Sequence, residues 1–335
     1  MIRNDSRSGN RLAFTLVELM VVVLIIAILV SLVSSAVMKA MQKIPEVQTR
    51  TEITEMEVAL RAFMSDYNLT DPPPSKLILY ENMGLYATST VPGAAQSYAF
   101  LQKVFGKNLG PQVDWNGDGI ISPTILPWVL EGEHCLVFYI GGIPSPAGGP
   151  QGFSTNNMKP SFGSMAGETP GKRKGPYFTF VTPRLIRVPL VGGFYVYVDP
   201  WQSKASPFYA MAGGTPYAFF SSSGINNGYN YTDCALGLQF PDALGRKQIA
   251  LPYYTAVSPT TPGLPTAYAN SNTFQIISAG KDGIFGYNLV PPSPVPPPPT
   301  GIPNNNLWSP AGGASGTGAD DQANFSGSLL GSGQS

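Results

Sequence analysis

Arg11-Leu12-Ala13-Phe14-Thr15-Leu16-Val17-Glu18-Leu19-Met20 opens an apolar run that continues to Val33 with Glu18 as its single charge. At about 1.5 Å per residue in a helix, such a run is long enough to cross the hydrocarbon of a bilayer. Arg3, Arg7 and Arg11 precede it against one acidic residue, Asp5, so the basic flank is expected in the cytoplasm and the bulk of the chain outside. A cleaved secretory signal has a shorter apolar stretch with its small-residue cleavage site behind it, whereas here the small residue, Ala13, comes in front. Cleavage at Ala13 leaves the apolar helix on the mature chain. A plain anchor helix explains all of this except Glu18, because a carboxylate inside a membrane helix is costly unless something neutralises it. Glu18 therefore reads as a functional residue.

The segment Arg11 to Met20 resembles the prepilin processing and N-methylation motif of type IV pilins and type II secretion pseudopilins. The resemblance implies that a prepilin peptidase cuts between Ala13 and Phe14, methylates the new amine of Phe14 and leaves Glu18 as the fifth mature residue. Members of that family usually carry Gly where this chain has Ala13. A cut there creates a cationic amine at the helix start, and Glu18 of a neighbouring subunit can pair with it in an apolar filament core where neither charge is tolerated alone. Assembly is then itself the neutralising event, and Leu, Val and Ile packed against their copies supply the remaining cohesion.

Beyond this region the 335-residue chain is sparsely charged, at 12%, with twenty Lys plus Arg against twenty Asp plus Glu. Loss of Arg3, Arg7, Arg11 and Asp5 leaves seventeen against nineteen, so the mature chain stays near neutral and no nucleic-acid partner is expected. Thirty-seven Gly and thirty-three Pro make it loop-rich, and sixteen Tyr with seventeen Phe give those loops amphipathic packing surface, a composition that suits an extracytoplasmic domain. Cys135 and Cys234 lie far apart without metal-type spacing, which leaves open one disulfide or two separate buried thiols.

Helical periodicity continues from Ser34 to about Asn68: Ile53, Met56, Leu60, Phe63 and Tyr67 recur at three- and four-residue steps, while Glu52, Glu55, Glu57 and Arg61 fall off that stripe. Pro45 is expected to kink this helix, and Asp71 followed by Pro72, Pro73 and Pro74 ends it. Another helical piece is expected around Ala94 to Phe105. Runs rich in β-formers occur at Leu136–Ile140, Tyr177–Val181, Phe194–Val198, Ala218–Phe220 and Phe274–Ile277. The pattern predicts an α+β chain in which one long N-terminal helix, kinked at Pro45, packs its second half on an elaborated antiparallel sheet with long loops, and the resemblance makes this a pilin fold. The expected divisions are a leader at 1–13, a transmembrane and polymerisation helix at 14–38, its amphipathic half at 39–68, a globular head at 69–290 and a Pro, Gly and Ser-rich tail at 291–335. Within that tail, Asp320, Asp321 and Phe325 are candidates to dock back onto the head.

Asp114-Trp115-Asn116-Gly117-Asp118-Gly119 matches the first half of a calcium loop, with oxygen-bearing side chains at alternate positions and Gly119 for the sharp turn. Ser122 falls at the ninth position, but Ile125 occupies the twelfth, where a bidentate Glu normally closes the shell. Two readings stay open: a structural calcium completed by carbonyls, water or a distant carboxylate, or an Asp/Asn/Gly turn that caps itself. A second resemblance, to major pseudopilins, lies in Asp199-Pro200-Trp201 with Pro207-Phe208-Tyr209, and in Phe274 through Gly283 with its Ser278-Ala279-Gly280-Lys281-Asp282-Gly283 loop, although Gln202 replaces the family's Gly. The resemblance implies a calcium ion near the C-terminal loop with Asp282 as a ligand and Asp320 and Asp321 as weaker candidates. His134, the single histidine, is expected at a strand edge, where its neighbour Cys135 faces the other way, and no pattern for nucleophilic, zinc or phosphate chemistry is present.

No catalytic role is expected. The leading expectation is a single-pass inner-membrane subunit, N-terminus cytoplasmic and head periplasmic, of a type II secretion pseudopilus. Its implied partners are copies of itself, other pseudopilins, the prepilin peptidase, the inner-membrane assembly platform and secreted proteins. The alternatives are a type IV pilus subunit for adhesion, motility or DNA uptake, and a pilin-anchored surface domain with binding or enzymatic activity.

Overall fold

The computed structural model describes residues 16–122, 125–145, 148–161, 163, 167–168, 171–201, 214–226, 228–230, 233–234, 250–257, 265–285, 319–326 and 329–330. The Ala13–Phe14 junction, Gln202, the Pro207-Phe208-Tyr209 triplet and the proline-dense run 291–299 lie outside these residues. The chain divides into two compact units, Met1–Glu46 and Val47–Ser335.

Helix α1 covers Leu16–Asp66 with Pro45 inside it. In the first unit its Leu, Val and Ile side chains between Leu16 and Val33 are all exposed. By length and composition the helix is apolar enough to cross a membrane. Hydroxyls in this stretch are satisfied within the helix: Ser31 Oγ donates to the Ile28 carbonyl at 2.8 Å and Ser34 Oγ to that of Val30 at 2.7 Å.

In the second unit the helical stripe is buried as its spacing requires, through Ile53, Met56, Leu60, Phe63 and Tyr67. Glu55 and Arg61 are exposed and Glu57 half-buried, with Arg61 Nη2 2.8 Å from Glu57. Glu52 departs from the expected solvent face and is buried. The helix stops where Asn68 takes a left-handed φ of 52° and Leu69 N–H reaches back to the Met64 carbonyl at 2.8 Å.

Strand β1 (Leu77–Leu79) pairs with β2 (Trp128–Leu130), and helix α2 occupies Ala94–Phe105 as expected. Helix α3 spans Gly132–Gly141. Then come the pairs β3 (Phe153–Ser154) with β4 (Arg173–Lys174) and β5 (Leu185–Val188) with β6 (Phe194–Tyr197). Next is β7 (Ala218–Ser221), followed by the pair β8 (Tyr254–Val257) and β9 (Pro265–Tyr268). The last strands are β10 (Phe274–Ser278) and β11 (Gln322–Ala323). The architecture is α+β, but among the described residues the strands form five small antiparallel sheets instead of one elaborated sheet. The largest has the order β11-β10-β7, so the tail docks onto the head through β11. An aromatic core joins the elements: the Phe153 ring lies 6.0 Å from Phe63, 5.3 Å from Phe105 and 5.2 Å from Phe138.

Two expected strands are corrected. Leu136–Ile140 lies in α3, whose ten residues are all buried. A helix enclosed on every side has no amphipathic period, so its apolar run mimics a buried strand. Tyr177–Val181 is irregular because Tyr177 and Phe178 both donate backbone N–H groups to one acceptor, the Ile140 carbonyl, at 2.7 and 3.3 Å. His134 thus sits fully buried on α3, its Nδ1 3.4 Å from Glu133 Oε1, and not at a strand edge. Cys135 and Cys234 are both buried free thiols, the second of the two readings left open by sequence. Burial, with Glu133 nearby, pushes both thiols well above the ordinary range.

Candidate functional site

Glu18 lies in the first turn of α1, where the helix dipole favours a negative charge, with Leu16, Val17, Leu19 and Met20 exposed around it. Its surroundings on the chain are therefore apolar, the setting in which a carboxylate gains most from a cation brought by another molecule.

Within the second unit, α1 is clamped by a buried polar network. Arg184 donates to both carboxylate oxygens of Glu52, Nη1 to Oε2 at 3.0 Å and Nη2 to Oε1. Tyr217 donates its hydroxyl to Glu52 Oε2 at 2.9 Å, and the Arg184 guanidinium stands 4.7 Å from the centre of the Tyr197 ring.

The two downstream segments that resemble major pseudopilins meet in space. Ser278 Oγ donates to Asp199 Oδ2 at 2.8 Å, and Thr215, whose carbonyl accepts the Asp199 N–H at 2.9 Å, donates its own hydroxyl to the Gly283 carbonyl at 3.0 Å. Burial pushes the Asp199 carboxyl up to about 7 against the hydrogen bonds that favour its charge. Asp282 and Asp320 also come together: the Asp282 N–H donates to Asp320 Oδ2 at 2.8 Å, and Asp282 Oδ1 accepts from Ile284 N at 2.8 Å. Burial raises Asp282 to about 6, with the Asp320 charge adding to it. Gly280 makes this approach possible, since at its φ of +65° a Cβ would stand 2.0 Å from the Asp320 carbonyl oxygen. Asp321, fully buried, accepts from the Tyr253 hydroxyl at 2.5 Å.

The Asp114–Gly119 loop folds through its own side chains. Asp114 Oδ2 accepts from Gly119 N at 2.9 Å, Asn116 Oδ1 from Asp118 N at 3.1 Å and Asp118 Oδ1 from Ile120 N at 2.8 Å. Trp115 is buried with its Nε1 donating to the Tyr80 carbonyl at 3.0 Å. Ile125, the residue at the closing position, is 74% exposed. Sequence reasoning missed Glu81, which β1 delivers to this loop from outside it. Its Oε2 accepts from Ser122 N at 2.5 Å, and burial, with Asp114 and Asp118 close by, pushes its carboxyl up to about 7. No spacing signal links Glu81 to the loop, because the connection runs through the fold. Among the described residues no three His, Cys, Asp or Glu side chains gather to hold a metal ion by themselves.

No curated protein and no solved structure matches the chain. Residues 9–34 match the family model described as the prokaryotic N-terminal methylation motif. That match covers Ala13, Phe14 and Glu18 and supports a type IV pilin-like N-terminus of the prepilin type, followed by a helix long and apolar enough to cross a membrane.

Proposed function

We propose that this subunit is a non-catalytic pseudopilin of a type II secretion system, polymerising through α1 as Glu18 pairs with the methylated Phe14 amine of a neighbour. The carrying observation is that Glu18, the single charge in the sequence from Phe14 to Val33, falls in the first turn of an exposed apolar helix within the matched motif. The secretion subtype is supported by the contact between the Asp199 and Ser278 segments, the two stretches that resemble major pseudopilins. In this reading the basic residues ahead of Phe14 stay cytoplasmic, the head is periplasmic, and the partners are other pseudopilins, the prepilin peptidase, the inner-membrane platform and exported proteins. The resemblance alone carries Asp282 as a calcium ligand, since its carboxylate and that of Asp320 are turned onto backbone amides.

The test is substitution of Glu18. Mass spectrometry of the parent protein should find a mature N-terminus at methylated Phe14, and Glu18→Gln should be processed and inserted normally yet be absent from sheared or crosslinked filaments. Normal fibres built from Glu18→Gln, or a mature chain that keeps Met1, would end the reading. Loss of exoprotein secretion in a deletion strain with pilus functions intact separates the secretion reading from a type IV pilus.

A further inference from the structure

Asn-x-Ser/Thr triplets, the acceptor pattern for an N-linked glycan, begin at Asn4, Asn68, Asn230 and Asn324. So short a pattern recurs by chance, and the fold decides which amide is available. Asn4 lies in the expected leader. Asn230 Nδ2 donates to Asp233 Oδ1 at 2.8 Å. Asn324 is built into the sheet, its Oδ1 accepting from Ile276 N at 3.0 Å and its Nδ2 donating to the Phe274 carbonyl at 3.3 Å. Asn68 differs: it is exposed just past the end of α1, it belongs to no helix or strand, and its side-chain amide makes no hydrogen bond among the described residues. Leu69 is buried, whereas Thr70 is exposed like Asn68, so the amide and the hydroxyl of the pattern both reach solvent. Thr70 Oγ1 donates to Asp71 Oδ2 at 3.1 Å, and Asp71 pairs with Lys103 at 3.2 Å, exposed contacts that are weak in water and easily released.

We propose that Asn68 is the acceptor of an N-linked oligosaccharide, with Thr70 supplying the hydroxyl that a membrane oligosaccharyltransferase reads. Asn68 Nδ2 attacks C1 of the first sugar of a polyisoprenoid-diphosphate-linked oligosaccharide. The C1–N bond forms as the C1–O bond to the diphosphate breaks, the polyisoprenoid diphosphate leaves, and the amide proton passes to a base of the transferase. An amide held as in Asn324 gives up two hydrogen bonds before it reacts, whereas Asn68 gives up none. The left-handed φ of 52° at Asn68 by itself favours Asn or Gly, but it makes no demand for a hydroxyl two residues on. The product carries hydrated bulk at the exposed end of α1. This assignment rests on the reading that the head lies outside the cytoplasm, where the transferase and its donor would meet it.

The test is mass spectrometry of the full-length protein isolated from the membranes of its own host. Trypsin releases Ala62–Lys76, in which Asn68 is the single Asn, and fragmentation should place a glycan mass on that residue. Asn68→Gln and Thr70→Ala should each remove the added mass completely, Thr70→Ser should keep it, and Asn324→Gln should leave it unchanged. Thr70→Ala guards against a folding defect, because it leaves the backbone at Asn68 as it was. An unmodified Asn68 in the parent, a mass placed on Ser65, Thr70 or Ser75 instead, or a glycan that survives Thr70→Ala would overturn the assignment. Protease digestion of the head in spheroplasts reports its location separately: an unmodified Asn68 on a digestible head overturns the acceptor alone, and on a protected head it takes the periplasmic reading with it.

Discussion

Arg184 and Glu52 are each below one-tenth exposed, and every oxygen of that carboxylate is engaged by Arg184 or Tyr217. Breaking a buried pair by removing one partner leaves an uncompensated charge, so Arg184→Met should lower the unfolding free energy by about 3–5 kcal/mol, while Glu52→Leu with Arg184→Met together should cost less than Arg184→Met alone. Denaturant titration of the three variants measures this, and a double variant no better than the single would show that the pair is not what destabilises. Asp199 gives a pH signature. Its folded carboxyl titrates at about 7, above the unfolded value near ~3.9, so the native state holds the extra proton between those limits. Its contribution to stability is complete below the unfolded pKa and is lost as pH rises through about 7. Asp199→Asn should therefore flatten the decline of stability between pH 4 and pH 7, and an unchanged slope would place the titrating group elsewhere. At this scale the sequence exposed Glu18, because a charge inside an apolar run is conspicuous. It hid Glu52–Arg184 and Glu81, whose partners are distant in the chain.

The elements that were legible are those whose own period carries their burial. The α1 stripe at Ile53, Met56, Leu60 and Phe63, the α2 bounds at Ala94 and Phe105, and the cores of β6, β7 and β10 all follow from local pattern. Helix α3 was not legible, since residues buried on all faces erase the difference between the two periodicities. Pairs such as β3 with β4, two residues each, are too short to show any period. The close fit of α3 is testable. Gly132 opens the helix against β7, where a Cβ would lie 2.0 Å from the Phe219 carbonyl oxygen and 3.3 Å from Cys234 Sγ. Gly132→Ala should cost about 1–3 kcal/mol by overpacking, read as a fall in midpoint denaturant concentration. A variant as stable as the parent would mean that α3 and β7 separate freely.

Across the molecule, polarity is divided between the units. The first presents Leu, Val and Ile to its surroundings, a surface that a soluble monomer does not sustain, whereas the second encloses a contiguous core rich in aromatic residues. The balance of twenty cationic and twenty anionic side chains leaves little long-range repulsion to oppose close packing of copies. Within the second unit, strand β10 acquires one neighbour from β7 and the other from β11, which begins at Gln322, well after β10 ends at Ser278. A ribosome reading from the N-terminus therefore finishes β7 and β10 while their outer neighbour is still unmade. For that interval one edge of β10 is an open template on which another strand can pair.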